Sequence, residues 1–264
     1  MSEPIAKKHK GGYRQIIESQ LSHLPNIADV EQISSRLIRV LGQNAGKGIP
    51  EWTGLISSVL ADSNFALSRI LLTHWHGDHT GGVPDLPSHS APSMPFGRLW
   101  NPYHHPQSTN TPSKGQRPMM DGQVFKVEGA TIRAVHAPGH SQDYMCFVLE
   151  EENAIFTGNN VLDHGTATVE QLSSWMESLR TMGSHMVIQN LPRNIEAQLT
   201  SKTRREMQIP QVLARLKDAN ARRRVTVKEL VHEMHGNQLG DEVRRMEEVL
   251  RKLAEDGSVV LEAL

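Results

Sequence analysis

Within the first third of the chain, one ten-residue segment reads Thr73-His74-Trp75-His76-Gly77-Asp78-His79-Thr80-Gly81-Gly82. It begins directly after Ile70-Leu71-Leu72, a short apolar run that is typical of a buried strand. His74 and His76 are two residues apart, so on an extended backbone both imidazoles point to the same side and can reach one cation. This segment predicts a metal site, and the alternative is a chance cluster of histidines on a surface loop.

Two further candidate ligands, Asp78 and His79, follow on a turn that Gly77 permits and can reach a second metal position nearby. Imidazole with carboxylate suits zinc, and also iron or manganese. Zinc lowers the pKa of water to about 7 and polarises a carbonyl group. Asp78 is the candidate catalytic residue, because its carboxylate can orient the attacking water and transfer its proton. The pattern therefore indicates a metal-dependent hydrolase.

A fifth candidate ligand, His140, lies far along the chain, directly after Ala137-Pro138-Gly139 and a strand expected over residues 131–136. A histidine at a glycine turn at the end of a strand is well placed to complete a three-histidine site with His74 and His76. The alternative is a capping or loop histidine without a ligand role. The sequence therefore predicts one three-histidine site.

Other residues with reactive side chains receive less specific predictions. His136 falls within the expected strand and is predicted to be a packed or edge residue, and His164 is either a turn residue or a neighbour of the ligands. The pair His104-His105 is predicted to be exposed. Cys146, the single cysteine, sits in an apolar run and is predicted to be a small buried side chain, and no intrachain disulfide can form.

Length and composition set broad limits. With 264 residues, the chain can form one large domain, or a domain of about 190 residues with a small appendage. The formal net charge of −1 identifies no partner. The first ten residues have no apolar core of a signal peptide, and no run approaches 18 apolar residues. We therefore expect no membrane segment and a cytoplasmic location.

Hydrophobic patterning predicts an α+β chain. Residues 30–41 contain an amphipathic piece, helices are expected over 52–61 and 169–182, and strands over 70–72, 124–127, 131–136, 144–149 and 154–156. Residues 84–118 contain eight of the fourteen prolines, which predicts a long loop or a disordered segment. These elements make up a first domain over residues 1–190.

The last part of the chain, residues 191–264, is predicted to be a separate helical module. Residues 201–224 carry eight lysines or arginines against two acids. Helices are expected over 225–234 and 242–255, followed by a turn and a closing strand over 259–261. Two helices, a turn and a strand resemble a small winged-helix module.

The motifs together resemble the metallo-β-lactamase superfamily. The likeness rests on residues 73–82, on Ala137-Pro138-Gly139-His140-Ser141 and on Phe156-Thr157-Gly158-Asn159-Asn160-Val161. Further segments, at 11–15, 39–44, 48–52 and 124–129, are similar to the fungal acyl-carrier-protein thioesterases that serve non-reducing polyketide synthases lacking a releasing domain. Among these, the atrochrysone carboxyl ACP thioesterases are the most similar type.

This resemblance implies an αβ/βα sandwich, two zinc ions and hydrolysis of a polyketide thioester on an acyl carrier protein, in anthraquinone-type secondary metabolism. It also implies that His74, His76, Asp78 and His79 are metal ligands and that Asp78 donates and accepts the proton. By the same resemblance, the partners of this protein would be the acyl carrier protein and the small-molecule thioester.

Three departures from the family pattern concern the second metal and the first sheet. A stretch with strands of the first sheet is missing between residues 47 and 48, so part of that sheet should be absent. A loop that supplies a late histidine is missing between residues 185 and 186, and His185 is not expected to replace it. Asn159 stands where the family has an aspartate, and a neutral amide should weaken the second zinc site. One zinc ion or two can therefore be bound.

Two other functions remain open at this point. A β-lactamase-like endoribonuclease could use the basic residues 201–224 to hold phosphates, although that stretch has no aromatic side chain for stacking on bases and nucleic acid is therefore disfavoured. A catalytically impaired remnant of the family is the other alternative. The same basic stretch could instead dock an acidic acyl carrier protein, or be only a solvated helical face.

Overall fold

The computed structural model describes residues 28–41, 50–83, 86, 98–102, 117–162, 167–185, 191–220, 224–237 and 240–262. The strands are β1 (Val30–Gln32), β2 (Ile38–Val40), β3 (Arg69–Leu71), β4 (Arg98–Pro102), β5 (Arg117–Met119), β6 (Val124–Val127), β7 (Ala130–His136), β8 (Met145–Leu149) and β9 (Ala154–Phe156). The helices are α1 (Pro50–Asp62), α2 (Gly77–Thr80), α3 (Leu172–His185), α4 (Leu191–Asn220), α5 (Val227–His235) and α6 (Gly240–Glu255).

The described strands form three sheets. β1 and β2 pair as an antiparallel hairpin, β3, β4 and β5 form a parallel sheet in that order, and β6 to β9 form an antiparallel meander. Every residue of β8 is buried, because both faces of this strand are covered. Met119, Phe125 and Phe147 belong to an apolar cluster against which Leu71 of β3 packs. This cluster joins the parallel sheet to the meander, and the predicted mixture of helices and two main sheets is confirmed.

Most elements lie where the hydrophobic pattern predicts them. The segment at 30–41 is a β-hairpin, and the predicted strands and helices between residues 50 and 185 are present with their ends shifted by up to three residues. β8 begins at Met145, which pairs with His136 of β7, and the ring of the preceding residue, Tyr144, stacks on His74.

The prediction of an irregular segment over 84–118 is wrong at its described residues. β4 lies in this segment, between β3 and β5, and β5 begins there as well. Proline is tolerated at the end of a strand and in an edge strand, where its missing N–H breaks no essential ladder bond. Pro102 is the last residue of β4, and Pro118 lies in β5, the outer strand of this sheet among the described residues.

The C-terminal region is helical. α5 begins with a capping box, in which Thr226 accepts from the Glu229 backbone N–H and the Glu229 side chain accepts from the Thr226 N–H. α4, α5 and α6 share one apolar core with α3, centred on side chains that are at most 1% exposed: Trp175, Ile209, Leu230 and Met246. No described helix is both long and apolar enough to cross a membrane.

The closing strand predicted over residues 259–261 is wrong. The backbone N–H groups of Ser258 and Val259 both donate to the Leu253 carbonyl, so the chain turns back onto the end of α6. Val260 is then 86% exposed. Without this strand, the described C-terminal residues have the helices of the predicted module but not its wing. The division of the chain at residue 190 stays a prediction.

Candidate metal centre

Three histidines from two distant parts of the chain meet at one end of the sheets. His74 lies in the loop after β3, His76 caps the N-terminus of α2, and His140 lies in the turn after β7. His74 Nε2 is 2.9 Å from His76 Nδ1, and His76 Nδ1 is 3.1 Å from His140 Nε2. The side chain of His74 is fully buried, and His140 is 8% exposed.

Hydrogen bonds at the far side of two rings determine which nitrogen faces the cluster. His140 Nδ1 lies 2.6 Å from the Thr168 carbonyl, which can only accept, so Nδ1 carries the proton and Nε2 is free of one. His74 Nδ1 is similarly paired with Thr73 Oγ1 at 2.9 Å. Such partners orient metal-binding imidazoles in known sites. One nitrogen from each of the three rings faces the other two, and the space between them has no room for three protons. This arrangement fits a bound cation.

Burial keeps the imidazoles of His74 and His140 neutral, which is the form that binds a metal. Desolvation, followed by the nearby His79, lowers the pKa of His74 to about 2. Desolvation also lowers the pKa of His140 to about 4, although its hydrogen bond to Thr168 acts in the opposite direction. A group of three potential ligands with its atoms within 4.8 Å, His74, His76 and His140, therefore indicates a metal site.

Two side chains beside this site were not predicted from the sequence. The ring of Tyr144 stacks on His74 with 4.8 Å between the ring centres, and its hydroxyl donates to the Thr157 carbonyl at 3.0 Å. A carboxylate oxygen of Glu170 lies 3.7 Å from His76 Nε2. In the sequence, these two residues stand out only by their positions. Tyr144 directly precedes the most apolar strand, and Glu170 lies just before a helix.

The loop that carries Thr168 and Glu170 is tied to the turn that carries His140. The Gly139 carbonyl accepts from the backbone N–H groups of Glu170 at 2.8 Å and Gln171 at 3.0 Å. Gly139 has φ of +136°, and Trp175 of α3 packs directly against it. The turn that carries His140 is therefore held against the start of α3 by hydrogen bonds and by packing.

Asp78 and His79 lie beside the three-histidine group rather than in it. An Asp78 carboxylate oxygen is 3.6 Å from His79 Nε2, and the rings of His79 and His74 are 4.2 Å apart. The side chain of Asn159 lies beside His79, and its Nδ2 is 3.3 Å from His140 Nε2. Burial lowers the pKa of His79. The roles of Asp78 and His79 as ligands, and of Asp78 in catalysis, stay predictions.

The remaining candidates lie away from the three-histidine group. His136 is exposed at the end of β7, and its Nε2 donates to the Gln142 carbonyl at 2.9 Å, as an edge residue would. Cys146 is buried, and desolvation raises the pKa of its thiol to about 12. His185 is the last residue of α3. His164 and the pair His104-His105 lie outside the described residues.

The basic stretch 201–224 is partly used inside the protein. Lys202 forms a buried ion pair with Glu248 at 2.6 Å, and Arg205 pairs with Glu242 at 3.0 Å. Among the described residues of this stretch, four cationic side chains are exposed: Arg204, Arg215, Lys217 and Arg224. The charge available for a partner is therefore smaller than the sequence implies.

The family model of the metallo-beta-lactamase superfamily matches residues 51–184. Two solved structures share the fold at 18% sequence identity. A metallo-beta-lactamase family protein from Thermus thermophilus has a TM-score of 0.60, covering 83% of this chain and 88% of its own. A beta-lactamase domain protein from Burkholderia ambifaria has a TM-score of 0.63, covering 82% and 78%. These likenesses confirm the predicted fold.

Curated fungal proteins are similar over nearly the whole chain. An atrochrysone carboxyl ACP thioesterase from Cryptosporiopsis sp. is 47% identical over 312 residues, covering 96% of this chain and 94% of its own. That of Emericella nidulans is 45% identical, covering 99% and 95%. The 312-residue alignment is longer than this 264-residue chain, so the relative carries segments that have no counterpart here. The chain belongs to the metallo-β-lactamase superfamily and, within it, to the family of the fungal atrochrysone carboxyl ACP thioesterases.

Proposed function

We propose that this protein is a zinc-dependent thioesterase that releases a polyketide acid of the atrochrysone carboxyl type from an acyl carrier protein. The carrier would belong to a non-reducing polyketide synthase of fungal anthraquinone-type metabolism. The buried group of His74, His76 and His140 carries the proposal, because it gives a hydrolytic site to a chain whose full-length relatives have this activity in their names.

The residues that would hold zinc are His74 through Nε2, His76 through Nδ1 and His140 through Nε2. Zinc would supply an acidified water and polarise the thioester carbonyl. Around it, the Thr168 carbonyl keeps the proton of His140 on Nδ1, away from the site. The Asp78 carboxylate would take the proton of the attacking water and return it to the sulfur of the departing carrier thiol.

A second zinc ion is expected to bind weakly, because Asn159 offers an amide where the family has a carboxylate. We expect Asn159→Asp to tighten a second equivalent of zinc by about tenfold or more, since it adds a negative charge beside His79 and His140. Zinc titration calorimetry measures both equivalents. Asn153→Asp adds the same charge in an exposed turn and should change neither. Equal second-site affinity in the two variants would contradict the role given to Asn159.

For the carrier protein, we propose a docking surface on the exposed cations Arg204 and Arg215 of α4, which are about three helical turns apart and so share one side of the helix. Carrier proteins generally present acidic surfaces, and complementary charge speeds association. Lys202 and Arg205 take no part, because their charges are paired with Glu248 and Glu242. We place this reaction in the cytoplasm.

The direct test is hydrolysis of a purified acyl carrier protein loaded with a polyketide thioester. We expect metal removal with a chelator to abolish release and added zinc to restore it, because the three histidines have no catalytic role without a cation. Release that persists in the chelator would contradict the proposal. Stoichiometric zinc binding and a cooperative melt without thioesterase activity would favour an impaired remnant, and metal-dependent RNA cleavage would favour the nuclease.

A further inference from the structure

We propose that Glu248, on the C-terminal helix α6, is a positioning residue for the metal centre and acts through the peptide group between Thr168 and Val169. The inference rests on the proposed metal site and assigns a role in it to the C-terminal helices. Those helices lie beyond the part of the chain that the superfamily model matches.

A buried ion pair joins two of the C-terminal helices. Lys202 Nζ on α4 lies 2.6 Å from Glu248 Oε2 on α6, and the two side chains are 2% and 1% exposed. Removing two charges from water is costly, and apolar residues of similar volume often stabilise a protein equally well. A stability role alone therefore gives little reason for a carboxylate at this position.

The second oxygen of the same carboxylate reaches toward the metal centre. Glu248 Oε1 accepts a hydrogen bond from the backbone N–H of Val169 at 3.2 Å. The carboxylate is paired with the Lys202 ammonium through its other oxygen, and an ionised acceptor forms a stronger hydrogen bond than a neutral one. The ion pair therefore fixes one backbone donor in the loop between residues 167 and 171.

The N–H of Val169 and the carbonyl of Thr168 belong to one planar peptide group. Fixing the N–H end of this plane also fixes the direction of its carbonyl, which accepts from His140 Nδ1 at 2.6 Å. That hydrogen bond holds the ring of His140 with Nε2 toward His76. A short relay thus runs from Lys202 through Glu248 and one peptide group to a proposed metal ligand.

The relay predicts a change in metal binding that a purely structural ion pair would not produce. In the 264-residue chain, we expect Glu248→Gln to weaken metal affinity about tenfold, at the lower end of what outer-shell partners contribute. Competition with a chromophoric chelator measures this affinity. The visible absorption bands of the cobalt(II)-substituted protein should also shift, because they report ligand geometry.

Glu206→Gln is the matched control. It removes a carboxylate from the ion pair between Glu206 and Lys252, which joins the same two helices at 2.7 Å. We expect this variant to bind metal with wild-type affinity and to keep the wild-type cobalt spectrum. A similar loss of affinity in both variants would overturn the proposal, since it would reflect general loosening of the helices.

A second variant decides the question if Glu248→Gln does not fold. The double variant Lys202→Met/Glu248→Leu replaces the ion pair by apolar contacts and still removes the acceptor for Val169. If this double variant unfolds cooperatively and binds metal about tenfold more weakly than the wild type, the result supports the relay. Wild-type affinity and cobalt spectrum in this double variant overturn it. If the wild-type protein binds no metal, the proposed function itself fails, which is a different result.

Discussion

Replacing His140 by alanine is expected to lower thioester hydrolysis by about a thousandfold. A cation in the site contributes several kcal/mol to the reaction, and each 1.4 kcal/mol corresponds to about a tenfold change in rate. His140 is one of three imidazoles that converge on the site, and its Nε2 lies 3.1 Å from His76 Nδ1. The measurement is kcat/KM with an acyl-carrier-protein thioester, together with the zinc content of the purified variant.

His136→Ala provides the control for this prediction. His136 lies only four residues earlier in the chain, but its ring is exposed and bonds to the Gln142 carbonyl outside the three-histidine group. We expect this variant to keep its zinc and to hydrolyse the thioester at nearly the wild-type rate. Equal activity of His140→Ala and the wild type would show that His140 is not part of the proposed centre.

Gly139→Ala is expected to destabilise the protein by about 3 kcal/mol, from overpacking together with the strain of a positive φ. A Cβ on Gly139 would lie 2.3 Å from the Cα of Trp175, which is backbone and cannot move aside alone. The φ of +136° adds its own penalty for any residue with a side chain. Thermal unfolding should show a midpoint about 6–12 °C lower.

Gly129→Ala separates these two causes. Gly129 also has a positive φ, of +77°, but a Cβ there would meet no atom within 4 Å. This variant should lose only about 1 kcal/mol, which is the cost of the backbone conformation. If both variants melt at the same temperature, the contact between Gly139 and Trp175 does not constrain the His140 turn. We also expect Gly139→Ala to lower zinc affinity, whereas Gly129→Ala should leave it unchanged.

The sequence was most informative where chemistry depends on local spacing. His74 and His76 are two residues apart, so their convergence follows from backbone geometry. His140 was predictable because a glycine turn at the end of a strand is a recognisable pattern. The contacts of Tyr144 and Glu170 were not predictable, because they depend on how the strands and α3 pack in three dimensions. Spacing along the chain carries no information about such distant contacts.

Two elements show where local patterns mislead. Prolines around β4 suggested an irregular segment, yet the pairing of β4 with β3 and β5 overrides local preference. The apolar run at Val259 and Val260 suggested a strand, but a strand requires a partner, and the chain there turns back onto α6. The charge of Lys202 suggested a surface role, whereas its aliphatic stem and ammonium group are buried with Glu248.

The burial of Cys146 makes the protein convenient for spectroscopy. It is the only cysteine in the sequence, it lies in the interior of β8, and the raised pKa of its thiol, about 12, leaves almost no thiolate at neutral pH. Maleimide reagents require an accessible thiolate. A cysteine introduced at an exposed, uncharged position such as Gln211 of α4 could therefore carry a single fluorophore or spin label without first removing Cys146. Such a label would report carrier-protein binding in a chain whose interior is otherwise unaltered.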